Sequence, residues 1–279
     1  SALAFASTGL SVGGIVVTPF IKWILDTQGI RNGSPWLALI WFCGTVPVTL
    51  FLLRAYPQPY GWLPDGARAA PGEIASISGT PLAEAVRSRF FKSVTFGYIF
   101  ALGAQVGGAL QLVKLVEERT DRSTATLATI VLSTMSIISR FAAGRIIPKI
   151  NMTRFTVGLA GLQGVSLASL GLVNNRIGLL VVIGLFGVTI GNMVMMQSLL
   201  LAERFGVRDY PKIAARSGLI SFSGTALGPL LLGWLYDVAG GYRSSYLAAG
   251  ACSIIGAVLF SFAGSASVTS FEVAPKISE

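Results

Sequence analysis

Long apolar runs alternate with short polar gaps along most of the chain. A transmembrane helix needs about 20 mostly apolar residues. Eight stretches reach that length: Ala2–Leu25, Pro35–Leu53, Ser93–Val116, Thr124–Ile147, Phe155–Val173, Ile177–Ala202, Ser217–Val238 and Tyr246–Ser267. Each is read as a helix, because an open strand cannot satisfy its backbone in lipid. The predicted fold class is therefore an all-α integral membrane protein with eight transmembrane helices. One long polar gap interrupts the pattern. It runs over Arg54–Phe91 and carries Pro57, Pro59, Pro64, Pro71 and Pro81 with four glycines, too broken for a helix over most of its length.

Composition agrees with the pattern. Charged residues make up 12% of the 279 and mean hydropathy is +0.70, whereas a soluble domain carries roughly 25% charged residues. The net charge of +9 would suggest a polyanion partner in a soluble protein. Here the cations sit between apolar runs, so they are read as orientation signals and no nucleic-acid partner is expected. Thirteen Lys and Arg fall in one alternate set of gaps and the tail, and six in the other. The richer set includes Arg145, Lys149, Arg154, Arg204, Arg208, Lys212 and Arg216. By the positive-inside rule this set, and both ends of the chain, are expected to be cytoplasmic in a multi-pass cell (inner) membrane protein.

The opening "SALAFASTGL" has no initiator Met and no basic region, so it reads as the start of a span rather than a signal peptide. Cys43 and Cys252 lie far apart, and there is no histidine. With neither a metal spacing nor the commonest general base, no metal, cofactor or catalytic set is expected, and the chain is not read as an enzyme. A Ser–Lys dyad through Lys22 is the one conceivable catalytic pair, but Lys22 lies near the end of its span and reads as a snorkelling residue. Glycines recur four residues apart at Gly9 and Gly13, Gly103 and Gly107, Gly187 and Gly191, and Gly224 and Gly228. Such rows let helix backbones approach closely.

Several junctions carry a family resemblance. After the second span, "YPQPYGWLPDG" resembles a Pro- and Gly-rich segment found after the sixth helix of bacterial major facilitator superfamily transporters. "LAERFGVRDYPKIAARSG" and "GTALGPLLLGWLYDVAGGYRSSY" resemble the connections between that superfamily's last three helices. "STGLSVGGIVVTPFIKWILDTQGIR" resembles the fifth helix of its monocarboxylate porter and oxalate/formate antiporter-like branch. The resemblance implies that the eight spans correspond to helices 5–12 of that fold. Residues 1–53 would be the last two helices of an N-terminal half, 54–92 a cytoplasmic linker, 93–267 a six-helix C-terminal half and 268–279 a tail. Preceding helices or a partner chain would then be needed to complete a cavity. One departure stands in the loop "GRIIPKINMTR". Gly144, Lys149 and Arg154 fit the family's loop signature, but Pro148 stands where Asp belongs and Asn151 where Gly belongs. An Asp-centred latch between helices is not expected there.

The same resemblance implies a midplane substrate site between two halves, walled here by the third, fourth, sixth and seventh spans. Arg140 is the leading candidate. A guanidinium at the bilayer centre costs about 3 kcal/mol on insertion scales, and its position resembles that of a carboxylate-gripping arginine in the oxalate/formate branch. Its planar fork of donors suits a carboxylate; the competing role is snorkelling to the interface. Gln105, Tyr98 on the same helix face, Asn192, Gln197 and Ser136 are the further substrate-binding candidates, with Ser221 and Ser223 weaker. The seventh span holds no Lys or Arg, which favours a monoanion over a dicarboxylate needing two cations. No Asp or Glu lies in mid-span, so a proton as coupling ion would need an acid elsewhere. The expected function is secondary active transport of a small organic anion, a monocarboxylate first, by symport or antiport. A transport-inactive sensor or assembly partner of the same fold is the alternative.

Overall fold

The computed structural model describes residues 2–52, 79–147 and 150–266, with the backbone alone for 2–16, 18, 19, 22 and 52. The "YPQPYGWLPDG" stretch, Pro148, Lys149, the Lys22 side chain and the tail lie outside what is described.

Two units form. The first described helical run, α1 (Ala2–Pro47), is interrupted at Gly29, whose φ of 71° and ψ of 171° no helix accommodates. Beyond that break Gly33 packs against Ile24, and Val17, Phe20 and Ile21 share a small cleft with Leu37, Ile40 and Trp41. The two N-terminal stretches predicted from the sequence fall on either side of this break, and the run continues as a π-helical turn at Val48–Leu52.

The second unit holds α2 (Leu82–Arg87), α3 (Arg89–Arg119), α4 (Arg122–Ile146), α5 (Met152–Leu172), α6 (Arg176–Phe205), α7 (Tyr210–Ala239) and α8 (Tyr242–Ser261). Seven helices among the described residues are long and apolar enough to cross a membrane: Trp23–Phe51 of the N-terminal run and α3 to α8. Several begin or end beyond the predicted spans. α7 starts at Tyr210, not Ser217, and so takes in Lys212 and Arg216; α3 starts at Arg89, not Ser93. The reason is length. A helix of 30 residues such as α6 is about 45 Å long, against about 30 Å for the hydrocarbon core. Apolar content marks the oily part of a helix, and the charged turns continue into the headgroup layer.

Helix starts follow from capping residues. Ser88, Asp121, Asn151 and Asn175 each accept a hydrogen bond from the backbone N–H three residues on, at 3.1, 2.9, 3.0 and 2.6 Å. Such caps contribute ~1 kcal/mol each. Arg119 closes the other kind of end. Its guanidinium donates to the carbonyls of Leu170, Gly171 and Val173, which α5 leaves unpaired at its C-terminus.

α3 is the shared element of the bundle, packing chiefly on α7 and α8, while α5 packs on α8 and α6, and α4 on α6. Three of the predicted glycine rows make these contacts; for the fourth, Gly9 and Gly13, only the backbone is described. A Cβ on Gly224 would lie 2.0 Å from the Ile99 carbonyl oxygen, and one on Gly228 2.1 Å from that of Gly103. Gly187 and Gly191 meet α4 in the same way, at the carbonyls of Leu132 and Ser136. Apolar clusters fill both ends, around Phe91, Tyr98, Phe205 and Phe260 and around Leu115, Phe186 and Tyr246. Outward side chains such as Val181, Leu219, Phe222 and Trp234 are apolar and exposed, as lipid contact requires.

A short segment ahead of α3 is fastened to the α6–α7 loop. Thr80 N–H donates to the Phe205 carbonyl at 2.8 Å and Leu82 N–H to the Asp209 carboxylate at 3.1 Å. Lys212 also donates to Asp209, at 3.1 Å, and the two contacts hold that carboxyl below its ordinary pKa. A depressed carboxylate stabilises at pH above its unfolded value and loses that contribution as pH falls through the folded one. The Leu82 amide should therefore exchange hydrogen several-fold faster in Asp209→Ala at neutral pH. The wild type should show the same loosening only below the usual carboxylate range. Equal protection of Leu82 in both proteins would discount the fastening.

Candidate functional site

The middle of α6 is where the polar groups converge. Gly191 is the sixteenth of its 30 residues, and it lacks the Cβ that would lie 2.3 Å from the Ser136 carbonyl oxygen. α4 therefore rides directly on the α6 backbone. Helical side chains lean toward their own N-terminus, so Arg140 reaches back from its turn toward the centre of α4. Its Nε donates to the Gly191 carbonyl at 2.6 Å, and the residue is 3% exposed. The guanidinium consequently lies level with the middle of α6 rather than at a helix end.

Three other predicted residues join it. Ser136, one turn before Arg140, is buried, and its hydroxyl makes no hydrogen bond among the described residues. Asn192 follows Gly191; its Nδ2 donates to the Val188 carbonyl at 3.0 Å, and its Oδ1 is buried without a partner. Gln105 of α3 reaches the Ile190 carbonyl through Nε2 at a long 3.5 Å, and its Oε1 is likewise unpartnered. A guanidinium and three unsatisfied oxygens thus come from three helices crossing at residues 190–192.

Tyr98 and Gln197 lie apart from this group. Tyr98 is fully buried, its ring 4.8 Å from that of Phe260, and its hydroxyl donates to the Met193 carbonyl at 3.0 Å. Gln197 is half-buried and donates to Ser217 at 3.1 Å and Ser221 at 2.9 Å. Thr95 and Ser217 complete that second cluster, with hydroxyls 2.9 Å apart. Neither Thr95 nor Ser217 stands out in the sequence, because both lie close to predicted span ends. Ser223 bonds back to its own helix at the Ile220 carbonyl.

A third polar group escaped the sequence reading. Gln163 of α5 is fully buried and donates to the Ala101 carbonyl at 2.8 Å and to Ser253 at 3.0 Å, tying α5 to α3 and α8. A glutamine in the centre of an apolar run was the available signal. Among the described residues no cluster of His, Cys, Asp and Glu has metal-binding geometry.

Residues 1–209 match the sequence model of the Major Facilitator Superfamily. The chain belongs to the major facilitator superfamily. As expected of that superfamily, it is an all-α multi-pass membrane protein, and it is a carrier-family chain rather than an enzyme. It is similar to mouse (Mus musculus) monocarboxylate transporter 11, at 25% identity over 276 residues, covering 93% of this chain. The chain spans 58% of that relative's length. The crystal structure of the E. coli fucose:proton symporter superposes with a TM-score of 0.65 at 14% identity, over 93% of this chain and 67% of the symporter. At that identity the likeness speaks for the superfamily fold alone.

Proposed function

We propose that the complete protein is a secondary transporter of small organic anions, monocarboxylates first, working by alternating access, and that Arg140 is the counter-ion of the substrate carboxylate. The observation that carries the reading is the buried guanidinium on the Gly191 carbonyl at the middle of α6, with buried, unpartnered oxygens of Ser136, Gln105 and Asn192 on the same three helices. Buried polar atoms without partners cost about 1–3 kcal/mol each. A polar ligand entering at residues 190–192 relieves that cost while its carboxylate accepts from the guanidinium. Tyr98 and Gln197 hold α6 in place against α3 and α7, so that they support the site from one turn or two away. The similarity to a protein named a monocarboxylate transporter agrees with the substrate class.

The same reading takes residues 1–53 and 93–267 as parts of two halves joined by the 54–92 linker, with the Arg145–Arg154 loop and both chain ends cytoplasmic. Proton coupling would draw its acid from outside the mid-depths of α3 to α8, where the sequence has no Asp or Glu.

The test is uptake by the complete protein in liposomes. A labelled short-chain monocarboxylate should exchange at least about tenfold faster than the matching neutral amide, a ratio worth ~1.4 kcal/mol of discrimination. Equal rates for acid and amide, or no flux of a panel of monocarboxylates, would remove the anion reading.

A further inference from the structure

α4 and α5 are consecutive helices that both lie on α6 yet make almost no contact with each other. The gap between them is a cavity of about 570 Å³. Met135, Ile138, Ala142 and Ile146 form one wall and Gly158 and Leu162 part of the other, with Asn192 at the floor and Arg154 at one end. It adjoins the Arg140 site and shares Asn192 with it, but Arg140 itself turns toward α6 and does not line the groove.

Three features say what fills it. The first is length. From Met135 to Ile146 the groove runs roughly 16 Å along α4 at 1.5 Å per residue, which is about half the ~30 Å hydrocarbon core. It therefore extends from the bilayer middle to one surface, the depth of a single leaflet. The second is charge. Arg154 is exposed at the surface end and makes no side-chain hydrogen bond or ion pair among the described residues, and Arg145 is exposed on the last turn of α4. No Asp or Glu occurs between Asp121 and Glu203, so α4 and α5 present only positive charge there. The third is space. A Cβ on Gly158 would meet nothing within 4 Å. Unlike the glycines of the helix contacts, this one leaves room that no protein atom uses.

We propose that this groove binds one anionic phospholipid, with an acyl chain laid between α4 and α5 and the headgroup phosphate on Arg154. Basic pockets between membrane helices at the cytoplasmic side suit such headgroups, and an apolar slot of one leaflet's depth suits the chain. The proposal rests on membrane insertion and is independent of what the protein carries.

The experiment is native mass spectrometry of the complete protein in mild detergent, with added palmitoyl-oleoyl phosphatidylglycerol or the corresponding phosphatidylcholine. One phosphatidylglycerol should be retained over phosphatidylcholine by about fivefold, the gain expected from one arginine near a headgroup. Arg154→Gln should remove that preference. Gly158→Leu should remove the retained lipid of either kind by filling the slot. Ala142→Leu, from the opposite wall, serves the same purpose should the α5 variant fold poorly. Transport of the wild type is not part of the readout, so a failed uptake experiment leaves this one intact. Equal retention of both lipids by the wild type, or undiminished retention in folded Gly158→Leu or Ala142→Leu, would overturn the proposal.

Discussion

Replacing Arg140 with alanine is expected to lower monocarboxylate uptake by the complete protein roughly 30-fold or more. Removing one partner of a buried, hydrogen-bonded charge pair costs ~2–5 kcal/mol, and 2 kcal/mol is already about 30-fold. The loss should appear in substrate affinity as well as in maximal rate, because the contact exists in the bound state. Arg140→Lys should recover only part of it. Lysine keeps the charge but not the planar fork, and it offers no Nε for the Gly191 carbonyl. Folded yield after size exclusion is the companion measurement, since the arginine also ties α4 to α6. Wild-type uptake by folded Arg140→Ala would exclude the counter-ion role.

The second large effect falls on folding. Gly228→Leu should prevent recovery of folded protein, and Gly228→Ala should lower thermal stability by ~1–3 kcal/mol, the usual range for overpacking. The added Cβ would stand 2.1 Å from the Gly103 carbonyl oxygen and 2.7 Å from its carbon. These are backbone atoms, so no rotamer change relieves the clash and α3 must move from α7. Gly161→Ala is the internal control. Nothing lies within 4 Å of its added methyl, and alanine is favoured over glycine in a helix by up to ~1 kcal/mol. It should be neutral or mildly stabilising. Equal melting temperatures for Gly228→Ala and Gly161→Ala would mean that the α3–α7 contact is looser than described.

Much of this architecture was legible in the sequence because the bilayer restricts what a chain can do. Apolar runs of the right length must be helices, and the glycine pairs at 103 and 107 and at 224 and 228 announced a close contact before its partner was known. Arg140 was legible for a similar reason: a cation amid apolar residues demands a compensating environment. Helix ends were less so. Arg89, Lys212 and Arg216 looked like loop residues, because hydropathy reports the hydrocarbon boundary and not the end of hydrogen bonding. Arg119 stands in a polar gap of the sequence yet caps α5, a role fixed by a neighbour 51 residues away. Gln163 was passed over because its helix was not expected to wall the substrate site. Which buried amide binds a ligand and which staples helices depends on the groups opposite it, and a single sequence does not display them.

The reciprocal glycine contact between α3 and α7 also bears on movement. Gly103 and Gly107 fit against Gly224 and Gly228 as the teeth of a keyed joint. Sliding one helix past the other by one turn, about 5.4 Å, would bring Ile99 or Gln111 to a place where a glycine now meets a backbone carbonyl. That pair has one register and no neighbouring one. α4 is keyed to α6 in the same way, so any shear within the six-helix bundle falls between that pair and the α3–α7 pair, which meet each other more sparsely and each travel as a single beam.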